Sequence, residues 1–475
     1  MRTLLRAFRS TAVSALALLR VLARWTAITV LVLMLAMFAM LLGARAVLRP
    51  SPGDWTTTVR VGPLQVDVGV AALIQWGTTP WIAQQLHGRT LPTRMGDLHV
   101  AWDAKRQELS LHCDPCVVRS SSWGPEPVRL ADARMTVHRN ATDLKGTLSS
   151  GAVHALWRGT VRPHGLTLHI TLPDTPVRDA YALFAGSIPE LAYAHIDGTM
   201  ALQATLELPS KTLTVQPRLQ GMAVNGLGTE SWTLAKSTCG RGLPTTSLGA
   251  DSLLARAVIA AEDQRFFEHT GYDLTEMTQA LHSNQDRDAT LQGLGRAARP
   301  LRGASTLTQQ VAKLLVTGGE RSPVRKLREL LYAVEMEQTL GKARVLRLYL
   351  DYAPWGATVC GAQAAAHAYF GKPAGQLTAA QAVWLAAMLH NPALEARRWK
   401  ATGQINQARA QWVASHLRPL KKAQRAKLID EIATAAWTIP TGEASNTPVR
   451  ATLAQQTHYL PSESNHWLTA SALSP

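Results

Sequence analysis

Acidic side chains are scarce in this chain. Its 475 residues carry 33 Asp and Glu against 49 Lys and Arg, a net charge of +16. Such a balance points to an anionic partner: nucleic acid, a membrane surface or a phosphorylated substrate. The first 24 residues hold no acid at all, only Arg2, Arg6, Arg9, Arg20 and Arg24. From Trp25 to Ala44 there is no charge of either sign, and these 20 residues are enough to span a bilayer as a helix. The positive-inside rule then puts the N-terminus in the cytoplasm and the bulk of the chain outside it. A cleaved signal peptide would have a shorter apolar run and a better small-residue site than Gly43-Ala44-Arg45-Ala46. An uncleaved anchor over residues 1–50 is therefore expected. That placement argues against nucleic acid and leaves lipid headgroups or a lipid-linked phosphate as the anionic partner.

Cysteine is also rare, with four residues: Cys113, Cys116, Cys239 and Cys360. An even count outside the cytoplasm is compatible with disulfides. Cys113-Asp114-Pro115-Cys116 can close a short bridge or act as a redox pair. His112 beside it raises zinc, but a structural site needs four ligands and no second cluster exists, so no metal is expected. Cys239 and Cys360 are then the natural second pair, joining the interdomain linker to the C-terminal half; the plain alternative is two unrelated buried thiols.

At this length the chain can hold two or three domains. Residues 51–238 read as strands. Leu64, Val66, Val68 and Val70 alternate with polar or small residues, as do Leu98, Val100 and Trp102, and Leu109, Leu111 and Cys113. Leu166 to Leu172 and Met200 to Leu208 repeat the rule, and a turn leads from Leu208 to Leu213. Period-two patterning punctuated by Gly, Pro and Asp means an antiparallel sheet. Val177 to Phe184 reads as a short helix. No catalytic constellation lies here, and a spacer or docking domain is the plain reading. Gly240 to Gly249 is a linker, and helices dominate after Ser252. Ser322-Pro323 is a helix start, with Val324, Leu327, Leu331 and Val334 as its buried stripe. Arg325, Arg328 and Glu329 share a face. Residues 401–475 read as a helical extension and a polar tail.

Two stretches look like the walls of a site. Glu262-Asp263-Gln264-Arg265-Phe266-Phe267-Glu268-His269-Thr270-Gly271 follows a core helix face of Leu254, Val258 and Ala261, and Glu262, Phe266 and His269 are spaced as a second helical face. A carboxylate there can be a general base; the plain alternative is an exposed Glu at a helix end. Gly303-Ala304-Ser305-Thr306-Leu307-Thr308-Gln309-Gln310 opens a second helix. Its Thr306, Gln309, Gln310 and Lys313 form a polar stripe opposite Leu307, Val311, Leu314 and Leu315, and its free N–H groups favour an anion. The plain alternative is a solvated face, which usually carries Glu and Lys instead. Leu281 to Arg302 joins the walls without clear periodicity. Between Arg296 and Arg347 there are 11 Lys and Arg against 4 Glu, so positive charge gathers here.

These motifs, with Arg325-Lys326-Leu327-Arg328-Glu329 as a third, resemble those of the peptidoglycan glycosyltransferases, glycosyltransferase family 51. The resemblance covers about Ser247 to Pro392 and includes Gly361 to Lys372 as the family's final motif. It implies a mainly helical, lysozyme-like domain over residues 239–400, which with the transmembrane helix and the antiparallel β-rich domain read above makes a multidomain chain. It implies polymerisation of lipid II at the bacterial inner membrane, with the bulk periplasmic. Glu262 would be the base and Glu329 the second carboxylate. Lys313, Arg321, Arg325 and Lys326 would hold the pyrophosphate. Ser305, Thr306, Gln309, Gln310, Asp263, Phe267 and His269 would complete the substrate site. No cofactor is required, and the pyrophosphate leaves room for a divalent cation. Lipid II, the growing glycan and membrane lipids are the partners implied, with other cell-wall synthesis proteins able to dock on the β-rich domain. That domain faintly resembles the β-rich domains of AsmA-like proteins.

Three positions depart from the family pattern: Arg347 stands where Glu is usual, Asp351 where Asn is, and Gln381 where Glu is. Gln381 still fits a capping box with Thr378. No S-x-x-K followed by K-T-G appears after the helical region, so no transpeptidase is expected. The rivals are a lytic transglycosylase and an inactive scaffold working through its β-rich domain.

Overall fold

The computed structural model describes residues 56–234, 248–293, 303–318 and 322–439 apart from short breaks, with part of 25–34. Among the described residues no helix is long and apolar enough to cross a membrane. The expected span, Trp25 to Ala44, lies mostly outside them, as does the tail beyond Ile439.

The first half is built on a sheet of nine antiparallel strands. In chain order the strands are β1 (Thr56–Val61), β2 (Leu64–Gly69), β3 (Thr90–Thr93), β4 (Gly96–Asp103), β5 (Glu108–Cys113), β6 (Cys116–Val118), β7 (Val128–Leu130), β8 (Ala133–Asn140), β9 (Asp143–Ser150), β10 (Val153–Arg162), β11 (Gly165–Pro176), β12 (His195–Leu208) and β13 (Thr212–Asn225). The large sheet runs β13-β12-β11-β10-β9-β8-β5-β4-β3, while β1–β2 and β6–β7 pair separately. The strand pattern has the expected physical origin. In β10, Ala155, Trp157, Gly159 and Val161 are buried while His154, Leu156, Arg158 and Arg162 are exposed, because successive side chains leave opposite faces of a pleated strand. The buried face closes over Val100, Leu109, Val137, Leu144, Trp157 and Leu166. Helix α2 (Pro80–Leu86), which follows α1 (Val70–Gly77), places Ala83 on it. Val70 starts α1 instead of extending β2, a departure from the alternation. The expected short helix is α3 (Val177–Ala182). Cys113 and Cys116 are disulfide-bonded to each other. Cys360 is disulfide-bonded too, and its expected partner Cys239 lies outside the described residues.

The second half is helical. Helix α4 (Leu253–Glu262) is buried nearly all round, with Leu254, Ala255, Ala257, Val258, Ile259, Ala260 and Ala261 all inside. A helix apolar on every side belongs at the centre of a core. Around it stand α5 (Leu274–Gly293), α6 (Leu307–Ala312) with a π turn over Lys313–Thr317, α7 (Pro323–Thr339), α8 (Gly341–Tyr352), α9 (Ala362–Phe370) and α10 (Ala379–Met388). Helix α5 carries the aperiodic stretch after Leu281 as far as Gly293. Helices α11 (Pro392–Thr402), α12 (Gln407–Ser415) and α13 (Lys422–Thr434) follow. They are not an appendage. Trp399, Ala410, Val413, Ala414, Leu417, Leu428 and Ile432 lie in the same core as α4 and α10, so a boundary at residue 400 cuts through packed side chains.

Local signals hold where expected. Ser322 caps α7, accepting from Arg325 N at 3.0 Å, with Pro323 at the first position. Thr378 and Gln381 form a capping box at α10, so the Gln at that position keeps a reciprocal pair of bonds.

Candidate active site

Glu262 is the last residue of α4, so the helix stops before Phe266 and His269 and the three do not share a helical face. Those two lie in the turn beyond it. The turn has an internal purpose. The Asp263 carboxylate accepts from Leu307 N at 2.8 Å and meets His269 Nε2 at 3.0 Å. Gly271 N donates to His269 Nδ1, and Thr306 Oγ1 donates to Gly271 O at 2.7 Å. Gly271 has φ +94°, and a Cβ there would lie 2.6 Å from Ala333 O. Only glycine lets this turn pass so close to α7.

The start of α6, read from sequence as an anion site, is thus filled from within. Asp263 supplies the anion at its N-terminus, where free N–H groups favour one. Thr306 and Gln309 form a capping box and are 3% and 1% exposed. A polar stripe expected to face a sugar is half buried in the protein. Gln310 differs: its amide donates to Glu262 Oε2 at 3.1 Å and accepts from Tyr349 Oη at 3.3 Å. Phe267, by contrast, is half exposed beside this turn.

The Glu262 carboxylate is held on one side only. Its Oε1 is buried and has no hydrogen-bond partner among the described residues. The nearest cation to it is Arg409 of α12, at 3.7 Å, whose other bond runs to Ala261 O at 2.6 Å. Arg409 also stacks on Trp412, with its guanidinium carbon 4.4 Å from the ring centre. Burial lowers the Arg409 pKa, and the Glu262 charge works against that shift. A carboxylate whose Oε1 accepts no hydrogen bond among the described residues, steered by an amide on one oxygen and a guanidinium beside the other, is suited to take a proton from a bound hydroxyl. Nothing local marked Arg409, which lies 148 positions from Ala261. Arg409→Ala should lower turnover on the order of 10-fold or more by loosening the end of α4; steady-state kinetics on a folded variant checks this, and unchanged turnover would remove Arg409 from the site.

The cationic wall lies on α7. Glu329 is 1% exposed and pairs with Arg325 and, at 2.9 Å, with Lys326. Thr317 from the π turn reaches Glu329 at 3.5 Å. Lys326 also donates to Ser305 Oγ, just before α6. Burial first, then Arg325 and Lys313 beside it, push the Lys326 ammonium down to about 7. Glu329 neutralises only one charge of the Arg325–Lys326 pair, which leaves the wall net positive. Lys313 opens the π turn at the end of α6, a winding found often at functional sites. Arg321 lies outside the described residues. Arg328, read as sharing the face of Arg325 and Glu329, instead turns to the β-rich domain. Helix α6 therefore joins the two walls, with Gln310 on Glu262 and Ser305, ahead of its start, on Lys326.

Two of the departures from the family pattern, Arg347 and Asp351, lie on α8. Arg347 is exposed on α8. Asp351 is buried, and burial raises its pKa against the pull of Arg344 and Arg347.

Residues 245–418 match the family model described as Transglycosylase. Curated relatives named biosynthetic peptidoglycan transglycosylase align over a shorter stretch. The protein of Bordetella avium is 46% identical over 139 residues, 29% of this chain and 55% of the relative. That of Alcanivorax borkumensis is 44% identical over 141 residues, 30% of this chain and 54% of the relative. That of Aeromonas hydrophila is 45% identical over 139 residues, 29% of this chain and 54% of the relative. The chain spans about half the length of these relatives, and its nine-stranded sheet lies outside the family match. Residues 245–418, with Glu262 at the end of the central helix and Glu329 in the cationic wall, are thus the part of the chain that is similar to the transglycosylase family.

Proposed function

We propose that this protein polymerises lipid II into β-1,4 glycan strands and releases undecaprenyl pyrophosphate. The observation that supports this best is the pairing, through α6, of a one-sidedly held Glu262 carboxylate with a net-positive wall of Arg325, Lys326 and Glu329. Glu262 Oε1 takes the proton from the 4-hydroxyl of the incoming disaccharide as its oxygen attacks the anomeric carbon of the growing chain. The bond to the pyrophosphate breaks with inversion, and its electron pair leaves on a phosphate oxygen. Lys313, Arg321, Arg325 and Lys326 hold the charge that develops there, with Arg as a fork and Lys as a point charge. Asp263, His269, Thr306 and Gln309 act by holding the walls in place, while Ser305, Gln310 and Phe267 border the substrate. The reading needs no cofactor.

The same reading places the chain in the inner membrane by a single span at Trp25–Ala44. The helical domain then lies in the periplasm with the lysozyme-like fold of its family, where it meets lipid II, the growing glycan and membrane lipids. The β-rich domain is free to meet other cell-wall synthesis proteins on its outer strands. Incubating the full chain with lipid II tests the activity: polymer supports a synthase, shortened glycan supports a lytic enzyme, and no change supports a scaffold.

The low Lys326 pKa carries a pH signature. The unliganded ammonium titrates at about 7, and a bound pyrophosphate raises that value because it stabilises the charged form. Between the two values binding takes up a proton, so affinity falls as pH rises. KM for lipid II should therefore climb above about pH 7, and Lys326→Met should flatten the climb while raising KM at lower pH. A KM profile equally steep in the variant would take Lys326 out of the pyrophosphate site.

A further inference from the structure

We propose that the β-rich domain is a working part of the glycosyltransferase site, because Glu190 positions the helix that carries Arg325, Lys326 and Glu329. This rests on the function proposed above. Helix α7 presents different faces to different neighbours. Arg325, Lys326 and Glu329 face the site, while Leu331 and Val334 are buried against Val177, Tyr181, Ile188, Ile196, Met222 and Val224 of the sheet domain. In the motif R-K-x-x-E the fixed residues point one way. Arg328, at a free position of the motif, points the other.

Arg328 is held by both oxygens of Glu190, on the turn Pro189–Ala192. Its Nε lies 2.9 Å from each oxygen and its Nη2 2.6 Å from Oε1. Glu190 is 2% exposed and the Arg328 side chain 26%, so this is a forked ion pair with a buried carboxylate. Tyr181 Oη donates to Leu327 O at 3.1 Å, one residue earlier on α7. Two turns further along, Glu335 accepts from Leu227 N at 2.9 Å, and Thr229 and Thr339 share a hydrogen bond of 2.8 Å. Arg344 of α8 donates to Trp232 O at 2.7 Å. The helix is thus gripped at two heights by groups from the sheet domain and the connection after it. The first grip falls between Lys326 and Glu329.

A helix is stiff along its axis, so a grip on Leu327 and Arg328 sets the rotation at which Lys326 and Glu329 meet the site. Small rotations matter, since ångström-scale misplacement of a charge-stabilising group is costly in rate. Removing the Glu190 charge takes the fork from the partly exposed Arg328, whose side chain then turns toward water and releases its hold on α7. Glu190 acts through Arg328, and so it is a positioning residue.

The test uses the full chain in lipid vesicles. Glu190→Gln is compared with wild type, with the exchanged pair Glu190→Arg/Arg328→Glu, and with Glu262→Gln as an inactive control. Lipid II turnover, its KM as a function of pH, and amide hydrogen exchange over residues 323–339 are measured. The expected result is a loss in kcat on the order of 10-fold, faster exchange across α7, and a displaced pH dependence of KM, with partial recovery in the exchanged pair. Should Glu190→Gln not fold, Glu190→Asp shortens the reach while keeping the charge, and the same three readouts apply. Wild-type turnover, pH profile and α7 exchange in the folded variant would overturn the proposal. If wild type makes no polymer, the function proposed above fails, and hydrogen exchange still decides whether Glu190 holds α7.

Discussion

Glu262→Gln should abolish polymerisation and leave the fold intact. The substitution keeps the shape and an oxygen that can accept from Gln310, so the end of α4 has little reason to move. It removes the basicity of the buried Oε1, which has no hydrogen-bond partner among the described residues. A general base contributes ~10²–10⁴-fold, and the loss should fall in kcat, with KM for lipid II little changed. Measuring single-turnover polymerisation and the thermal midpoint together checks both halves. Near-normal turnover would sink the assignment of Glu262, while a large fall in the midpoint would show that the carboxylate is needed for the core.

Glu329→Ala should act differently, through stability. Glu329 is the shared counterion of Arg325 and Lys326, and all three sit where water has limited access. Breaking a buried ion pair by removing one partner costs about 3–5 kcal/mol, because the remaining charge is left without compensation. For a domain of this size that is roughly 6–20 °C in thermal midpoint. Glu329→Gln should lose less, since an amide oxygen still accepts from Lys326. Denaturation of both variants beside activity gives the answer. A Glu329→Ala protein as stable as wild type but inactive would mean that the carboxylate takes part in the chemistry instead of holding the cations.

Much of the architecture was legible because its causes are local. The Ser322-Pro323 start of α7, the Thr378–Gln381 box and the alternation in β10 each depend on residues within a few positions of one another. The motif around Glu262 was legible as well, but its roles were not evenly readable. A polar residue on a helix face looks the same in sequence whether it meets substrate, water or its own protein. By type and spacing Thr306 and Gln309 suit a sugar site, and in the structure they cap α6. Asp263 and His269 were read as binding substrate, and they tie the first motif to the second.

By itself, the sequence determined that this protein has an apolar N-terminal run, a strand-rich half and a helical half, and that Glu262 and Glu329 stand in the motifs of one family. Those properties follow from periodicity, capping and residue type, which act over single turns and strands. The tertiary structure decided which polar groups are left for chemistry. It brought Arg409 to Ala261, beside Glu262, across 148 positions and Glu190 to Arg328 across 138. It also placed side chains of α11 to α13 in the same hydrophobic core as α4 and α10. Such pairings leave no mark on their neighbours in the chain, because they depend on how whole helices and sheets pack, and burial then decides which charges must find a partner.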